Sequence, residues 1–329
     1  MQQKSNQPDR DTQIEIYRRM ALLKANDERS RKVVASGRLV MPYYSYRGQE
    51  AIPAAVTVNL TDDDYLCTIY RGVHDILAKG MPLKELWAES AGRVTGSCKG
   101  KGGPMHLTYP AKGVMVTTGI VGSSMPIANG LAWGAQLAGD GRIAVAMFGD
   151  GASNIGAFHE SLNLASVWKL PVVFVCQNNL YAEHTAFEKG TSARRVADRG
   201  SAYNMPAVRV NGNEPLEVFG AAKEAVERAR SGGGPTLIEA MTFRFHGHVF
   251  GDPDGYMDKA QKQAAMEADP VPRYRAKLVA DGFVTAAQLD AMEAGIEREL
   301  DAAVAFALDS PTPEISEMRR DVYAEEQAE

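Results

Sequence analysis

The chain has 329 residues, 45% of them apolar and 23% charged, with a formal net charge of −5. That length holds one large α/β domain with extensions or two smaller ones, and the acidic balance argues against general nucleic-acid binding, which needs a basic face. No apolar run approaches the roughly 18 residues of a membrane span. The polar stretch from Met1 to Arg10 has neither the apolar core of a secretory signal nor the arginine-rich character of an organelle-targeting peptide. Cys67, Cys98 and Cys176 lack metal-type spacing and read as free thiols, which together imply a cytoplasmic protein.

Residues 1–10 are expected to be disordered. From Asp11 to Ser36, Ile14, Ile16, Met20, Leu22, Leu23, Val33 and Val34 recur at helical spacing, with Gly37 as a C-terminal cap. Gly48-Gln49-Glu50 opens a second helical stretch to Leu60. The glycine-rich run Gly92 to Gly103, with Arg93, Lys99 and Lys101, reads either as an ordered loop beside an anion or as a solvated flexible loop. A helix over Pro126 to Leu137 follows. Strands are then predicted at Ile143–Phe148, Pro171–Cys176, Ala207–Val210 and Thr236–Met241, with helices at Phe158–Val167 and Pro215–Arg230. After Phe250 the chain is helical and charged, ending in an amphipathic helix over Thr285–Leu308. Continuous apolar strands alternating with helices make an α/β fold, a mostly parallel sheet covered by helices on both faces. A single domain over 11–329, with N- and C-terminal helical extensions, is the expectation.

Ligands of open α/β sheets bind beyond the carboxyl ends of the strands. Two predicted strands end there in polar chemistry: Gly149-Asp150-Gly151-Ala152 and Asn178-Asn179-Leu180-Tyr181. Glycines beside an aspartate let backbone amides approach a phosphate, and carboxylate, amide and carbonyl oxygens are hard ligands suited to magnesium. Either run alone is commonly a turn; both at consecutive strand ends point to a metal-diphosphate site. No Gly-Lys-Ser/Thr element and no helix-opening Gly-x-Gly-x-x-Gly follows a strand, which excludes a P-loop and disfavours a dinucleotide site.

The run from Gly149-Asp150-Gly151 to Asn178-Asn179 resembles the thiamine-diphosphate motif. The tracts Gly48-Gln49-Glu50-Ala51, Tyr70-Arg71-Gly72-Val73-His74, Lys101-Gly102-Gly103-Pro104-Met105-His106, Gly119-Ile120-Val121-Gly122, Trp168-Lys169-Leu170-Pro171 and Arg244-Phe245-His246-Gly247-His248 resemble the alpha subunit of the decarboxylating component of 2-oxo acid dehydrogenase complexes. The likeness runs from about residue 11 to 260 and is nearest the acetoin branch. It implies a thiamine-diphosphate-binding fold and an oxidoreductase that cleaves a C–C bond next to a carbonyl, of acetoin or a 2-oxo acid. The acyl fragment would pass reductively to a lipoyl group on an acyltransferase partner.

The resemblance also implies residue roles. Asp150, the side chain of Asn179 and the carbonyl of Tyr181 would hold Mg2+, and the amides of Gly151 and Ala152, beside Gly149, would meet the diphosphate. Tyr70 and Arg71 match the family's Tyr-Arg pair at the phosphates. Gly119 and Val121 match positions beside the aminopyrimidine, and His248 would act at the diphosphate and the reacting centre. His74, His106, His159 and His184 read as structural, with His106 having a second reading near the active-site entrance.

Three departures stand out. Tyr44 occupies the place of a histidine in pyruvate-type members, Gln177 replaces a glutamate before Asn178, and Val249 stands where animal pyruvate enzymes carry a phosphorylated serine. The glutamate that activates the pyrimidine ring comes from a beta subunit in this family, which implies an alpha2beta2 heterotetramer. Two other readings are the N-terminal half of a split transketolase and a non-catalytic cofactor-binding scaffold.

Overall fold

Side-chain alternation along the central strands builds the core. The computed structural model describes residues 7–322. Helix α1 (Arg10–Ala35) starts where the Asp9 carboxylate accepts the Thr12 N–H at 2.8 Å, an N-cap that satisfies one orphan donor of the first turn. The disorder expected of residues 1–10 therefore does not extend to Asp9 and Arg10, and residues 1–6 lie outside the described residues. Helix α2 (Ala51–Thr57) is shorter than its sequence pattern suggests. Strand β1 (Tyr65–Ile69), helices α3 (Val73–Ala78) and α4 (Leu83–Ser90), and strand β2 (Val114–Thr118) follow.

The expected α/β alternation then unfolds through α5 (Ser124–Ala138), β3 (Ala144–Gly149), α6 (Gly156–Trp168) and β4 (Val172–Asn178). A two-stranded antiparallel hairpin, β5 (Tyr181–Ala182) and β6 (Thr185–Ala186), is followed by the short α7 (Phe187–Gly190). Strand β7 (Ala207–Asn211), α8 (Pro215–Arg230) and β8 (Thr236–Met241) complete the sheet. Helices α9 (Lys259–Glu267), α10 (Pro270–Ala280) and α11 (Ala286–Asp309) close the chain, α11 opening on a capping box between Thr285 and Gln288.

The six-stranded sheet has the order β2-β1-β3-β4-β8-β7, every pair parallel. In β3 and β4, Val145, Met147, Val173 and Val175 point into the core under α1–α4, α8, α10 and α11. Ala144, Ala146, Phe148, Val172, Phe174 and Cys176 point the other way, into the core under α5 and α6. Both faces are thus apolar, which is why these strands read as unbroken hydrophobic runs. No helix among the described residues is long and apolar enough to cross a membrane.

The glycine-rich loop does sit around an anion, and the anion is internal. Glu89, fully buried, accepts the N–H groups of Cys98 and Gly100 on one oxygen and of Gly102 and Gly103 on the other, at 2.7–3.1 Å. Lys99 and Lys101 turn outward to Glu317 and Asp321. The basic residues of this loop therefore serve contacts within the fold.

Candidate functional site

Parallel strands deliver their carboxyl ends to one edge of the sheet, and the segments at five of the six ends reach one cavity. Tyr70 and Arg71 follow β1, Gly119 to Val121 follow β2, Gly149-Asp150 closes β3, Asn178-Asn179 closes β4, and Thr242 to His248 leave β8. They converge on a cavity of about 250 Å³ lined by Tyr70, Arg71, Val121, Gly149 to Ala152, Asn179, Tyr181 and His248, together with Ile69, Ala182 and Glu183.

One corner suits a cation. Asp150 is 2% exposed, and its Oδ2 is buried with no hydrogen-bond partner. Burial pushes its carboxyl up to about 6, against the backbone amides of Asp150 and Asn179, which favour the charged form. A buried carboxylate oxygen without a partner is costly and calls for a positive ligand. Across from it, Asn179 donates from Nδ2 to Gln49 Oε1 at 2.8 Å and accepts the Tyr181 N–H on Oδ1 at 3.2 Å. Leu180 and Glu183 adopt left-handed φ values of 71° and 52° around the β5 strand, a strained turn that packs Ala182 onto the Asp150 turn. Gly151 is required there: a Cβ at that position would lie 2.7 Å from Ala182 Cβ. Among the described residues no three His, Cys, Asp or Glu side chains group at metal-binding distance. A cation at this corner would therefore rest on one carboxylate with amide and carbonyl oxygens.

The opposite wall suits an anion. Arg71 and Arg244 are 4% and 1% exposed. Arg71 donates to the carbonyls of Ser45 and His248, at 2.6 and 2.9 Å. Arg244 donates to the Glu183 carbonyl and the Tyr256 hydroxyl, at 2.6 and 2.7 Å, while its Nε is buried without a partner. Their partners are carbonyls and a hydroxyl rather than carboxylates, which leaves two buried positive charges for a ligand to neutralise. Burial and then the neighbouring Arg244 bring Arg71 down to about 10, still charged at neutral pH.

His248 is held between them. Its backbone N–H donates to Asp252 Oδ2 at 2.6 Å, and its ring Nδ1 faces Arg71 and Arg244 nitrogens at 3.3 and 3.4 Å. A guanidinium only donates, so Nδ1 carries the lone pair and Nε2 the proton. Burial, then Arg71, Arg244 and His184, lowers the imidazole to about 4. His248 is therefore a neutral Nε2–H donor at physiological pH. Tyr44 packs edge-on to Tyr70 and His248, with ring centroids 4.6 and 5.4 Å away, and under the Arg71 guanidinium.

Residues 17–316 match the Dehydrogenase E1 component family. The chain belongs to that family. Among its relatives, the acetoin:2,6-dichlorophenolindophenol oxidoreductase alpha subunit of Bacillus subtilis is 41% identical, over 94% of this chain and 92% of that one. The same-named subunit of Cupriavidus necator is 35% identical, covering 96% and 95%. The pyruvate dehydrogenase E1 component alpha subunit of Porphyra purpurea is 33% identical, covering 94% and 92%. These likenesses make the chain an oxidoreductase component with the α/β thiamine-diphosphate fold.

In this E1 chain, ten of the eleven residues singled out from sequence line the one cavity. Gly119 does not line it; it is exposed two residues before Val121, beside the His106 ring. His74 is satisfied internally, between the Arg71 carbonyl and Gln177 Oε1, and His159 meets Tyr203. Gln177 spans His74 and Asp75, away from the cavity lining. His184, read as structural, lies 3.5 Å from Asp252 and 6.3 Å from His248 between ring centroids, so it belongs to the surroundings of the site. Sequence reading missed Gln49, Arg244, Asp252 and Tyr256 as site residues. For Arg244 a signal existed: an arginine three residues past a strand end, just before the histidine pair.

Proposed function

We propose that this chain is the alpha subunit of a thiamine-diphosphate-dependent dehydrogenase acting on acetoin or a 2-oxo acid, with Mg2+ as the metal and a beta chain as partner. The observation that carries the reading is the buried, partnerless Asp150 oxygen in a cavity that the buried Arg71 also lines. A metal-bound diphosphate answers both needs at once. Asp150, the Asn179 amide oxygen and the Tyr181 carbonyl would hold the cation, and Arg71, with the Gly151 and Ala152 amides, would hold the diphosphate. Bound thiamine diphosphate supplies the nucleophile and electron sink needed to break a bond next to a carbonyl.

The remaining work falls to this chain's own residues. His248, neutral with its proton on Nε2, donates a hydrogen bond to anionic oxygen without adding charge. Tyr70 and His248 line the cavity, and the Tyr44 ring packs edge-on against both of them. Ile120 and Val121, 72% and 50% exposed at the rim, offer apolar surface to a second chain. That chain would bring the glutamate for pyrimidine activation, in an alpha2beta2 assembly, and a lipoyl-bearing acyltransferase would receive the acyl fragment.

Acetoin is favoured by the two acetoin-oxidoreductase relatives and by Tyr44 standing in the place of the pyruvate-type histidine. Lipoamide-dependent turnover, measured with the co-purified beta chain on acetoin and on pyruvate and branched-chain 2-oxo acids, tests the proposal. Turnover on acetoin is expected; turnover confined to a 2-oxo acid moves the substrate, and none on any of them sinks the reading.

A further inference from the structure

We propose that Gln49 is a positioning residue for the cation at Asp150 and Asn179, an inference that rests on the metal-diphosphate reading above. Gln49 is 1% exposed, and its Oε1 accepts the Asn179 Nδ2–H at 2.8 Å. On the other side of the same amide, Oδ1 accepts the Tyr181 N–H at 3.2 Å. Rotating the amide by half a turn would set its NH2 against that N–H, donor against donor. The two contacts thus admit one orientation of Asn179. In that orientation Oδ1 keeps a second lone pair, and an amide oxygen is a hard ligand for a small divalent cation.

Gln49 is constrained in turn. Only its carbonyl end can face Nδ2, and its Nε2 is left buried with no partner. A side chain that merely filled this space would be more stable without an orphaned donor, which points to the acceptor as its use.

The backbone beneath Gln49 is fixed by packing rather than by its own helix. Gly48 has φ +96°, and a Cβ there would lie 2.2 Å from the Phe243 carbonyl. The Gly48 carbonyl accepts the Thr242 hydroxyl at 2.8 Å, and the Arg47 carbonyl accepts the Phe245 N–H at 2.9 Å. The Gly48 N–H donates to Glu50, whose other oxygen takes the Arg47 guanidinium. Gln49 therefore stands on a segment joined to the exit of β8, the same segment that carries Arg244 and His248. It orients a ligand on β4 from outside β4's own loop.

The test titrates Mn2+ into the full chain, with its beta partner where the two co-purify, in the presence of thiamine diphosphate. Electron paramagnetic resonance reads free and bound metal, and unfolding curves check each variant. Gln49→Met is close in size but cannot accept a hydrogen bond; Gln49→Glu keeps an acceptor. The expected result is Mn2+ binding about tenfold weaker in Gln49→Met, as for one lost buried hydrogen bond, and binding no weaker than wild type in Gln49→Glu. Wild-type affinity in Gln49→Met overturns the proposal, and so does weakened binding in Gln49→Glu, which tests it even if the Met variant does not fold. Asp150→Ala separates the two levels. If it binds Mn2+ like the wild type, the metal site itself is refuted; if it loses Mn2+ while Gln49→Met does not, only the role of Gln49 fails.

Discussion

Replacing Asp150 by asparagine should make the ligand-free chain more stable while removing its metal-dependent function. The carboxyl is nearly fully buried and pushed from 3.8 to about 6 by burial. A rise of that size corresponds to roughly 3 kcal/mol of destabilisation by the charged form in the folded state. The sign follows from the raised pKa. Below 3.8 the carboxyl is neutral in both folded and unfolded chains, and the penalty is absent. It grows as pH rises toward about 6 and is complete above that. Asparagine keeps the shape and removes the charge, although its NH2 is a donor without a partner at the Oδ2 position. The net gain at about pH 7.5 is therefore about 0–2 kcal/mol, at roughly 1–2 °C per kcal/mol for a chain of this length. Thermal unfolding of the ligand-free wild type and Asp150→Asn across pH 4 to 8 measures the gap, and other titrating groups cancel in the difference. Calorimetry with Mg2+ and thiamine diphosphate should show binding lost in the variant. A variant less stable than the wild type at pH 7.5, or a gap that does not shrink toward pH 4, would contradict the burial penalty assigned to Asp150.

Arg71→Lys keeps a charge but loses the planar fork that reaches both the Ser45 and His248 carbonyls; thiamine diphosphate affinity should fall about tenfold by calorimetry, and unchanged affinity would remove Arg71 from the diphosphate. His248→Ala should lower turnover by about 10²–10⁴, a larger loss than the about tenfold weakening of thiamine diphosphate binding expected from one lost hydrogen bond. Because the imidazole is held near 4 in the ligand-free chain, NMR of that chain should show no His248 titration between pH 6 and 8; a titration near 6.5 that disappears in His248→Ala would contradict the assigned neutral form. Gly151→Ala places a Cβ 2.7 Å from Ala182 Cβ, so it should displace the β5–β6 hairpin, cost about 1–3 kcal/mol of stability and weaken metal-dependent cofactor binding. Adding Ala182→Gly should restore both, and failure of that rescue would place the damage elsewhere.

Much of the sheet was legible because β3, β4 and β8 are buried on both faces and so read as uninterrupted apolar runs. Strands β1 and β2 were not. Tyr65–Ile69 follows directly on Asp62-Asp63-Asp64, and Val114–Thr118 is a short Val, Met and Thr segment only partly buried. Neither carries a periodicity longer than its neighbours' turn signals. The cavity lining was legible for a different reason: strand-end motifs remain local in sequence, so Asp150 and its amides announce themselves together. Gln49 could not be seen that way, since its role exists only through contact with Asn179, far along the chain and across the sheet. The identity of the anion beside the basic glycine loop was hidden for the same reason, because it is the buried carboxylate of Glu89.

That loop also bears on how the chain is made. Its outward lysines meet Glu317 and Asp321, the Val94 N–H donates to the Pro311 carbonyl, and α4 packs on α11. Helix α1 likewise meets α11 through Arg29 and Glu297. The first third of the polypeptide is thus secured by contacts with α11 and the residues up to Asp321. Contacts this distant in sequence close late and slowly, so during synthesis the early helices and the glycine loop must wait until those residues have emerged. Over that interval the apolar face of α1 is open to chaperones or to mispairing, and losing the α11 segment would strand the nascent chain in that state.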